Sequence, residues 1–272
     1  MMRSLWSAAS GMIAQQTNVD TIANNLSNVN TTGYKSEKVE FKTLLYQTLQ
    51  TRTTTANGEN KPISAQVGLG TRVSSITSEY AQGALLASES QTACAIVGDG
   101  FFAVRGNDGQ TYYTRNGDFK LSRTQQGGYM LATANGDAVL DTNGNPIVLP
   151  EGVSNSRFQV SDDGTLGYVN EQNAYVPLNA QIGLYQFNNP AGLEKLSNSL
   201  LAVTDASGEP MNEATMDTLV PSSVKQKYLE GSSVQVADEM VNLIVAQRAY
   251  EMNSKAIQAS DDMLGQANQL KR

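Results

Sequence analysis

Val236-Ala237-Asp238-Glu239-Met240-Val241-Asn242-Leu243-Ile244-Val245-Ala246-Gln247-Arg248-Ala249-Tyr250 begins a stretch with a seven-residue rhythm, in which Val236, Leu243, Tyr250, Ile257 and Leu264 recur at every seventh position. A second row of the same period, Ala246, Asn253, Ser260 and Ala267, is small or polar. Such a repeat keeps one seam facing a partner helix when the two supercoil slightly. Alternating large and small residues lets the backbones approach closely. Read as helix from about Ser233 to Leu270, the segment is roughly 55 Å long, more than a compact domain of this size needs. It is expected to protrude.

The stretch carries its own punctuation. Ser232-Ser233-Val234-Gln235 has capping-box spacing, and Asp238 and Glu239 sit in the opening turns, where the helix dipole favours negative charge. Lys271 and Arg272 stand at the far end, and Glu251 with Lys255 has the spacing of an intrahelical ion pair. The N-terminus answers with a stripe of its own. Leu5, Ala8, Met12, Gln15, Val19, Ile22, Leu26 and Val29 follow in steps of three and four. A long apolar-edged helix at each terminus favours mutual pairing over two unrelated surface helices.

Between the helices the signals change. After Val29 the Asn/Thr-rich run Asn28-Val29-Asn30-Thr31-Thr32-Gly33 reads as a turn, a short amphipathic piece covers Phe41 to Leu49, and Thr51 to Gln66 reads as an extended or mobile loop. From Val67 to Val220, short Val/Ile/Phe/Tyr/Leu runs are separated by Asp99-Gly100, Asp108-Gly109, Asn116-Gly117, Asn135-Gly136, Asn143-Gly144 and Asp163-Gly164. Each dipeptide can supply the positive φ of a tight hairpin. Phe101–Val104, Tyr112–Thr114, Tyr129–Leu131 and Ala138–Leu140 are the expected strands, and Leu193, Leu196, Leu200 and Leu201 suggest a helical turn. The fold class is therefore α+β, with paired N- and C-terminal helices forming a coiled-coil-like domain and a mainly antiparallel β middle.

Composition removes several functions. The 272 residues include no histidine and carry a net charge of −7, with nineteen Lys and Arg dispersed along the chain. Missing histidine takes away the usual general base and metal ligand, and dispersed basic residues do not make a phosphate-binding face. Ser222-Ser223-Val224-Lys225 has Ser-x-x-Lys spacing without the accompanying motifs of acylating enzymes. Asp141-Thr142-Asn143-Gly144-Asn145 starts like a calcium loop, but Pro146 and Gly152 occupy the positions of its glycine and its bidentate Glu. A hairpin turn is the simpler reading. No catalytic, cofactor-binding or metal-binding residue is assigned. Cys94 has no partner for an internal disulfide and sits in a sequence typical of a buried strand. No apolar run reaches the ~18 residues a membrane span requires, and Ser7, Ser10, Gly11 and Gln15 interrupt any signal-peptide centre.

Specific residues resemble a known family. Leu5-Trp6, Gly11-Met12, Gln15-Gln16-Thr17-Asn18 and Ile22-Ala23-Asn24-Asn25-Leu26-Ser27-Asn28-Val29-Asn30-Thr31-Thr32-Gly33-Tyr34-Lys35 resemble the N-terminal signature of bacterial flagellar rod and hook proteins. Val234 to Ile244 followed by Gln247-Arg248-Ala249-Tyr250 is similar to its C-terminal counterpart. Ile96-Val97-Gly98-Asp99-Gly100-Phe101-Phe102 and Tyr113-Thr114-Arg115-Asn116-Gly117-Asp118-Phe119 resemble the β-domain motif. The length and the Leu44-Leu45-Tyr46-Gln47-Thr48-Leu49 segment point to a rod member rather than the longer hook protein.

The resemblance implies a structural subunit of a tubular helical polymer, a drive shaft transmitting motor torque. Its expected organisation is an N-terminal helix of the inner (D0) domain at 1–33, a connector with a rod-type loop at 34–70, a β-rich outer (D1) domain at 71–220, and a return connector with the C-terminal D0 helix at 221–272. Subunit packing would use Leu5, Met12, Val19, Ile22, Leu26, Val29, Val236, Leu243, Tyr250, Ile257 and Leu264. The family-motif residues are Asn24, Asn25, Leu26, Thr32, Gly33, Gln247, Arg248, Ala249 and Tyr250. Implied partners are further copies, other rod proteins and the hook protein, the export apparatus and surrounding bushing rings, with no nucleic acid and no membrane insertion. Implied localisation is the flagellar basal body, reached by export without a cleaved signal peptide.

Two further expectations follow. The termini should be largely disordered in the free monomer and fold on assembly, since burial of their narrow seams in a lone subunit does not offset the ordering entropy, and the loop from Thr51 to Gln66 should stiffen the shaft. The competing reading is a secreted adhesin or ligand-binding β-domain on a coiled-coil stalk, with a groove among Phe101, Phe102, Tyr112 and Tyr113.

Overall fold

The computed structural model describes residues 2–50, 65–124, 127–150, 157–170, 174–216 and 218–270. The chain divides into two units, one of Met1–Ser27, Glu37–Ser78 and Gln235–Arg272, the other of Asn28–Ser36 and Glu79–Val234.

The first unit holds two helices, α1 (Met2–Ser27) and α2 (Val236–Gln269). With them lie four strands: β1 (Glu37–Thr43), β2 (Tyr46–Gln50), β3 (Ala65–Gly68) and β4 (Thr71–Ser78). β1 pairs antiparallel with β4 across a bulge at Glu40/Phe41, and β2 pairs with β3. The stretch read from sequence as a connector thus supplies β1, β2 and β3, and β1 pairs with β4 from the start of the stretch read as the outer domain. The reason is visible in β1, where Val39 and Phe41 alternate with Lys38, Glu40 and Lys42 at the period of a half-buried strand. The amphipathic piece Phe41 to Leu49 is split between β1 and β2. Of the loop expected over Thr51 to Gln66, residues 51–64 lie outside the described residues, and Ala65 and Gln66 belong to β3. β4 comes close to α1 at Gly70, whose φ is +113° and whose β-carbon position would overlap the Ser10 hydroxyl. Ser10 Oγ accepts the Thr71 N–H at 3.3 Å, so glycine is required beside it.

α2 starts without the expected capping box. Gln235 is the N-cap residue and makes no side-chain cap bond. The hydroxyls are used elsewhere: Ser233 Oγ accepts the Ser36 N–H at 2.9 Å, and Ser232 Oγ accepts the Val234 N–H. Asp238 and Glu239 do occupy the first turn. Glu251 is paired with Arg248 at 2.9 Å, one turn before it, and not with the Lys255 one turn after it that the sequence suggested. The basic pair Lys271-Arg272 lies outside the described residues.

The second unit is built on antiparallel sheets. Among the described residues the largest has ten strands, with Phe101–Arg105 between Ala138–Val139 and Thr111–Thr114. A three-stranded sheet, Phe158–Val160 with Thr165–Val169 and Tyr175–Gln181, lies beside it in sequence. Every residue of Phe101-Phe102-Ala103-Val104 is fully buried, because the strand is covered on both faces. Phe102 and Val104 join one core cluster with Phe119, Leu131 and Val139, whereas Phe101 and Ala103 join another with Tyr113 and Phe187.

Four of the six expected turn glycines, Gly109, Gly136, Gly144 and Gly164, have positive φ. Two serve differently. At Gly98-Asp99-Gly100 the positive φ belongs to Gly98, at +129°, and at Gly117 a β-carbon would overlap the Cys94 carbonyl oxygen. Close backbone approach, not handedness, dictates glycine at 117. The leucines from Leu193 to Leu201 do not form one helical turn. A short 3₁₀ turn at Pro190–Gly192 precedes the strand pair Glu194–Lys195 and Leu201–Ala202, and a second at Ser197–Ser199 joins its two strands, with Asn198 and Ser199 at φ +63° and +60°. Asp141 is a turn residue, its Oδ1 accepting the N–H groups of Asn143 and Asn145 at 2.8 Å each.

Cys94 is buried in the strand Cys94–Val97, and burial pushes its thiol up to about 12 from 9.0. A folded value above the unfolded one means that the contribution is whole below pH 9 and is lost as pH climbs toward 12. Between pH 8 and pH 10 the wild-type chain should lose roughly 1 kcal/mol more stability than Cys94→Ala. Urea unfolding of both at the two pH values measures the difference, and equal losses would show that the thiol is not shielded.

Candidate functional site

α1 and α2 pack antiparallel, and their contacts keep a seven-residue register. Ser4 Oγ lies 3.2 Å from Ser260 Oγ, a β-carbon at Gly11 would come 2.9 Å from Asn253 Nδ2, and Asn25 Nδ2 donates to Glu239 Oε1 at 2.9 Å. Positions 4, 11 and 25 step by seven and fourteen, and 260, 253 and 239 step back by the same amounts. The row facing α1 is therefore the small and polar one. Ala246 and Ser260 are its buried members, at 1% and 3% exposure.

The large apolar row is placed differently from what periodicity alone suggests. Leu243 and Ile257 are half-buried, whereas Val236, Tyr250 and Leu264 are exposed. On α1, Ile22 is buried and Leu5, Met12, Val19 and Leu26 are half-buried. Val29, half-buried, belongs to the second unit. The other buried residues of α1, Ala8, Ala14, Thr21 and Asn25, are small or polar. Of these, sequence periodicity marked only Ala8.

What the sequence missed is the opposite side of α2. Met240, Val241, Ile244, Val245 and Met252 are 53–65% exposed. At 100° per residue they share an arc roughly opposite the α1-facing row. On α1, Trp6 and Ile13, seven residues apart, are 72% and 68% exposed. The signal was available as a third apolar row in α2, hidden by the stronger heptad beside it. Gln16 and Val19 of α1 and Gln247, Tyr250 and Glu251 of α2 line an open hollow of about 400 Å³. The motif residues Gln247, Arg248 and Tyr250 are exposed, and Ala249 is half-buried.

In the second unit two distant signature segments meet at one carboxylate. Glu230, 1% exposed, accepts Lys35 Nζ at 2.6 Å, the Gly83 N–H at 2.9 Å and Arg115 Nη1 at 3.3 Å. Its backbone oxygen accepts the Gly33 N–H at 2.8 Å. Gly33 has φ +70°, and a β-carbon there would come 2.8 Å from the backbone of Arg115 and Asn116. Thr32 Oγ1 donates to Asn116 Oδ1 at 3.0 Å. The Thr-Gly-Tyr-Lys motif is thus fitted to the Arg-Asn-Gly motif through backbone contact. Burial pulls the Lys35 ammonium below the ordinary lysine value, and the bond and charge of Glu230 oppose that pull. Arg115 is lowered by burial in the same way, and its guanidinium lies 5.0 Å over the Phe101 ring.

The proposed adhesin groove does not exist. Phe101 and Phe102 are fully buried, Tyr113 is 4% exposed, and Tyr112 packs at the core's edge. Among the described residues no group of three or more His, Cys, Asp or Glu could hold a metal ion, and no helix is long and apolar enough to cross a membrane.

Two antiparallel terminal helices that meet through small and polar residues and leave a large apolar face exposed, together with a second unit of antiparallel sheets, fit a protein of the axial structural class. The comparisons agree. Family models match at residues 5–35 (flagella basal body rod protein), 95–168 (flagellar hook protein FlgE/F/G D1 domain) and 225–270 (flagellar basal body rod FlgEFG protein C-terminal). The flagellar basal-body rod protein FlgG of Borreliella burgdorferi is 44% identical over the full length of both chains. FlgG of Agrobacterium fabrum is 39% identical over 96% of this chain and 97% of its own, and that of Bacillus subtilis 35% over the whole of both. The chain belongs to the FlgG family of flagellar basal-body rod proteins.

Proposed function

We propose that copies of this chain, a structural subunit of the flagellar distal rod, stack into a helical tube that carries motor torque toward the hook and filament. The carrying observation is the exposed apolar arc of α2. Each of its five large side chains, 53–65% exposed, stands to gain roughly 1–2 kcal/mol on losing its remaining contact with water, and none of the described residues completes their cover. Neighbouring helices of further copies supply the cover, in coiled-coil fashion, and the hollow around Val19 and Tyr250 is shaped to receive a side chain. A contact between two different faces that does not close on itself propagates as a helix.

In this reading Leu5, Met12, Val19, Leu26, Val236, Leu243, Tyr250, Ile257 and Leu264 flank the packed seam and are shared between the helix pair and its neighbours, whereas Ile22 packs within its own subunit and Val29 meets a neighbour from the second unit. The β unit forms the outer layer, and adjacent rod proteins and the hook protein meet the ends of the tube. The export apparatus delivers the subunit to the basal body, and bushing rings surround it. The terminal helices gain most of their stability on assembly, and residues 51–66 stiffen the shaft. The role is mechanical, not catalytic.

The test is Ile244→Asp with Val245→Asp. Both side chains are exposed, at 57% and 63%, so the free subunit should keep its helicity and melting temperature. Polymer formation by light scattering, and rods in isolated basal bodies by electron microscopy, should be lost. Normal rods from the doubly charged variant would refute the proposal.

A further inference from the structure

The second unit contains a cavity of about 300 Å³ that rod assembly does not explain. Its base is cationic. Lys35 and Arg115 line it, both at most 5% exposed, and the two share the single carboxylate of Glu230. Lys195 is at the same cavity, its Nζ 6.0 Å from the centre of the Tyr34 ring. Asp99 and Glu213 act on the Arg115 guanidinium through space. Arg115 directs Nη1 to Glu230 and Nη2 to the Gly98 carbonyl, yet its Nε is buried with no hydrogen-bond partner among the described residues. An orphaned buried donor on a cation is a cost that a bound acceptor would remove. The remaining walls include Tyr34, Tyr80, Leu196 and Leu200. The turn that forms one rim is held with Asn198 and Ser199 both left-handed, a conformation that costs non-glycine residues energy.

Fixed cations with an unmet N–H, set among aromatic and aliphatic walls, make a site for a group that is anionic at one end and apolar along its length. We propose that this cavity binds a carboxylate carried on an apolar stem. Guanidinium and ammonium take the carboxylate, and the tyrosine and leucine walls cover the stem. Two sources have this chemistry, a free aliphatic acid and an acidic side chain of a second copy of the chain.

The full-length monomer is titrated with sodium hexanoate, with hexanol as the uncharged control, while the side-chain Nε–H signal of Arg115 is followed by NMR. Saturable displacement of that signal by hexanoate alone is expected. Lys195→Gln, a substitution at an exposed position, should weaken binding roughly fivefold. No saturation, or equal response to hexanol, overturns the proposal. Assembled rods then distinguish the sources. Polymer that binds hexanoate as the monomer does leaves the site to a free acid, and polymer in which the site is blocked assigns it to a neighbouring copy.

Discussion

Glu230→Gln is expected to destabilise the folded protein by about 3–5 kcal/mol, the usual cost of removing one partner from a buried ionic cluster. The carboxylate is inaccessible and is held by an ammonium, a guanidinium and a backbone N–H at 2.6, 3.3 and 2.9 Å. Glutamine keeps the shape but removes the charge, and its amide turns a donor toward donors. Two cations then remain buried with no anion in contact, and neither has a low-cost escape. Arg115 cannot shed its proton, and Lys35 could do so only as a poorly solvated amine. Since whole domains are stable by ~5–15 kcal/mol, the substitution removes a large share. Urea denaturation at pH 7 reads the effect. Adding Lys35→Met to Glu230→Gln should recover part of the loss, because one uncompensated cation leaves with it. A cost below ~1 kcal/mol for the single variant would mean that water reaches the cluster.

That cluster also shows what the sequence could and could not disclose. Lys35 and Arg115 stood inside recognisable motifs, but periodicity relates residues a few positions apart, and Glu230 is 195 residues from Lys35 and 115 from Arg115. Only the folded chain brings them together. The β unit was more legible, because buried strands and turn glycines are local signals: Phe101–Val104 and the hairpins at Gly109, Gly136, Gly144 and Gly164 follow from them. Gly100 and Gly117 misled because a glycine needed for space looks the same in sequence as one needed for handedness.

The helices were legible as helices, but their partners were not. A heptad says which residues share a face, not which face is occupied. α2 has more apolar surface than one partner can cover, so its small row went to α1 and much of its large row stayed outside. Likewise the capping serines were spent on Ser36 and Val234, a competition no local rule detects.

Asn25→Ala should cost about 3 kcal/mol, far more than the same change at the adjacent motif residue Asn24. Asn25 is 1% exposed, and its amide is used at both ends. Oδ1 accepts the Glu37 N–H at 2.8 Å, while Nδ2 donates to the Glu37 carbonyl at 2.8 Å and to Glu239 Oε1 at 2.9 Å. One side chain thereby joins the end of α1, the start of β1 and the first turn of α2. Alanine deletes all three bonds in a buried place, each worth ~0.5–1.5 kcal/mol and the one to the carboxylate more. Aspartate should be worse still, because it has no donors and sets a second negative charge beside Glu239. Asn24 is exposed and reaches Glu37 Oε2 at 3.2 Å, so its loss should cost under ~1 kcal/mol. Thermal unfolding of the three variants gives the ranking, and amide exchange over residues 20–27 shows whether the end of α1 loosens. If Asn25→Ala melts with Asn24→Ala, the amide is not the fastener. If the expected order holds, the tandem asparagines have separate tasks. Asn25 fixes the register in which 4, 11 and 25 face 260, 253 and 239, and a shift of that register would turn the exposed face of α2 away from the neighbour it is built to meet.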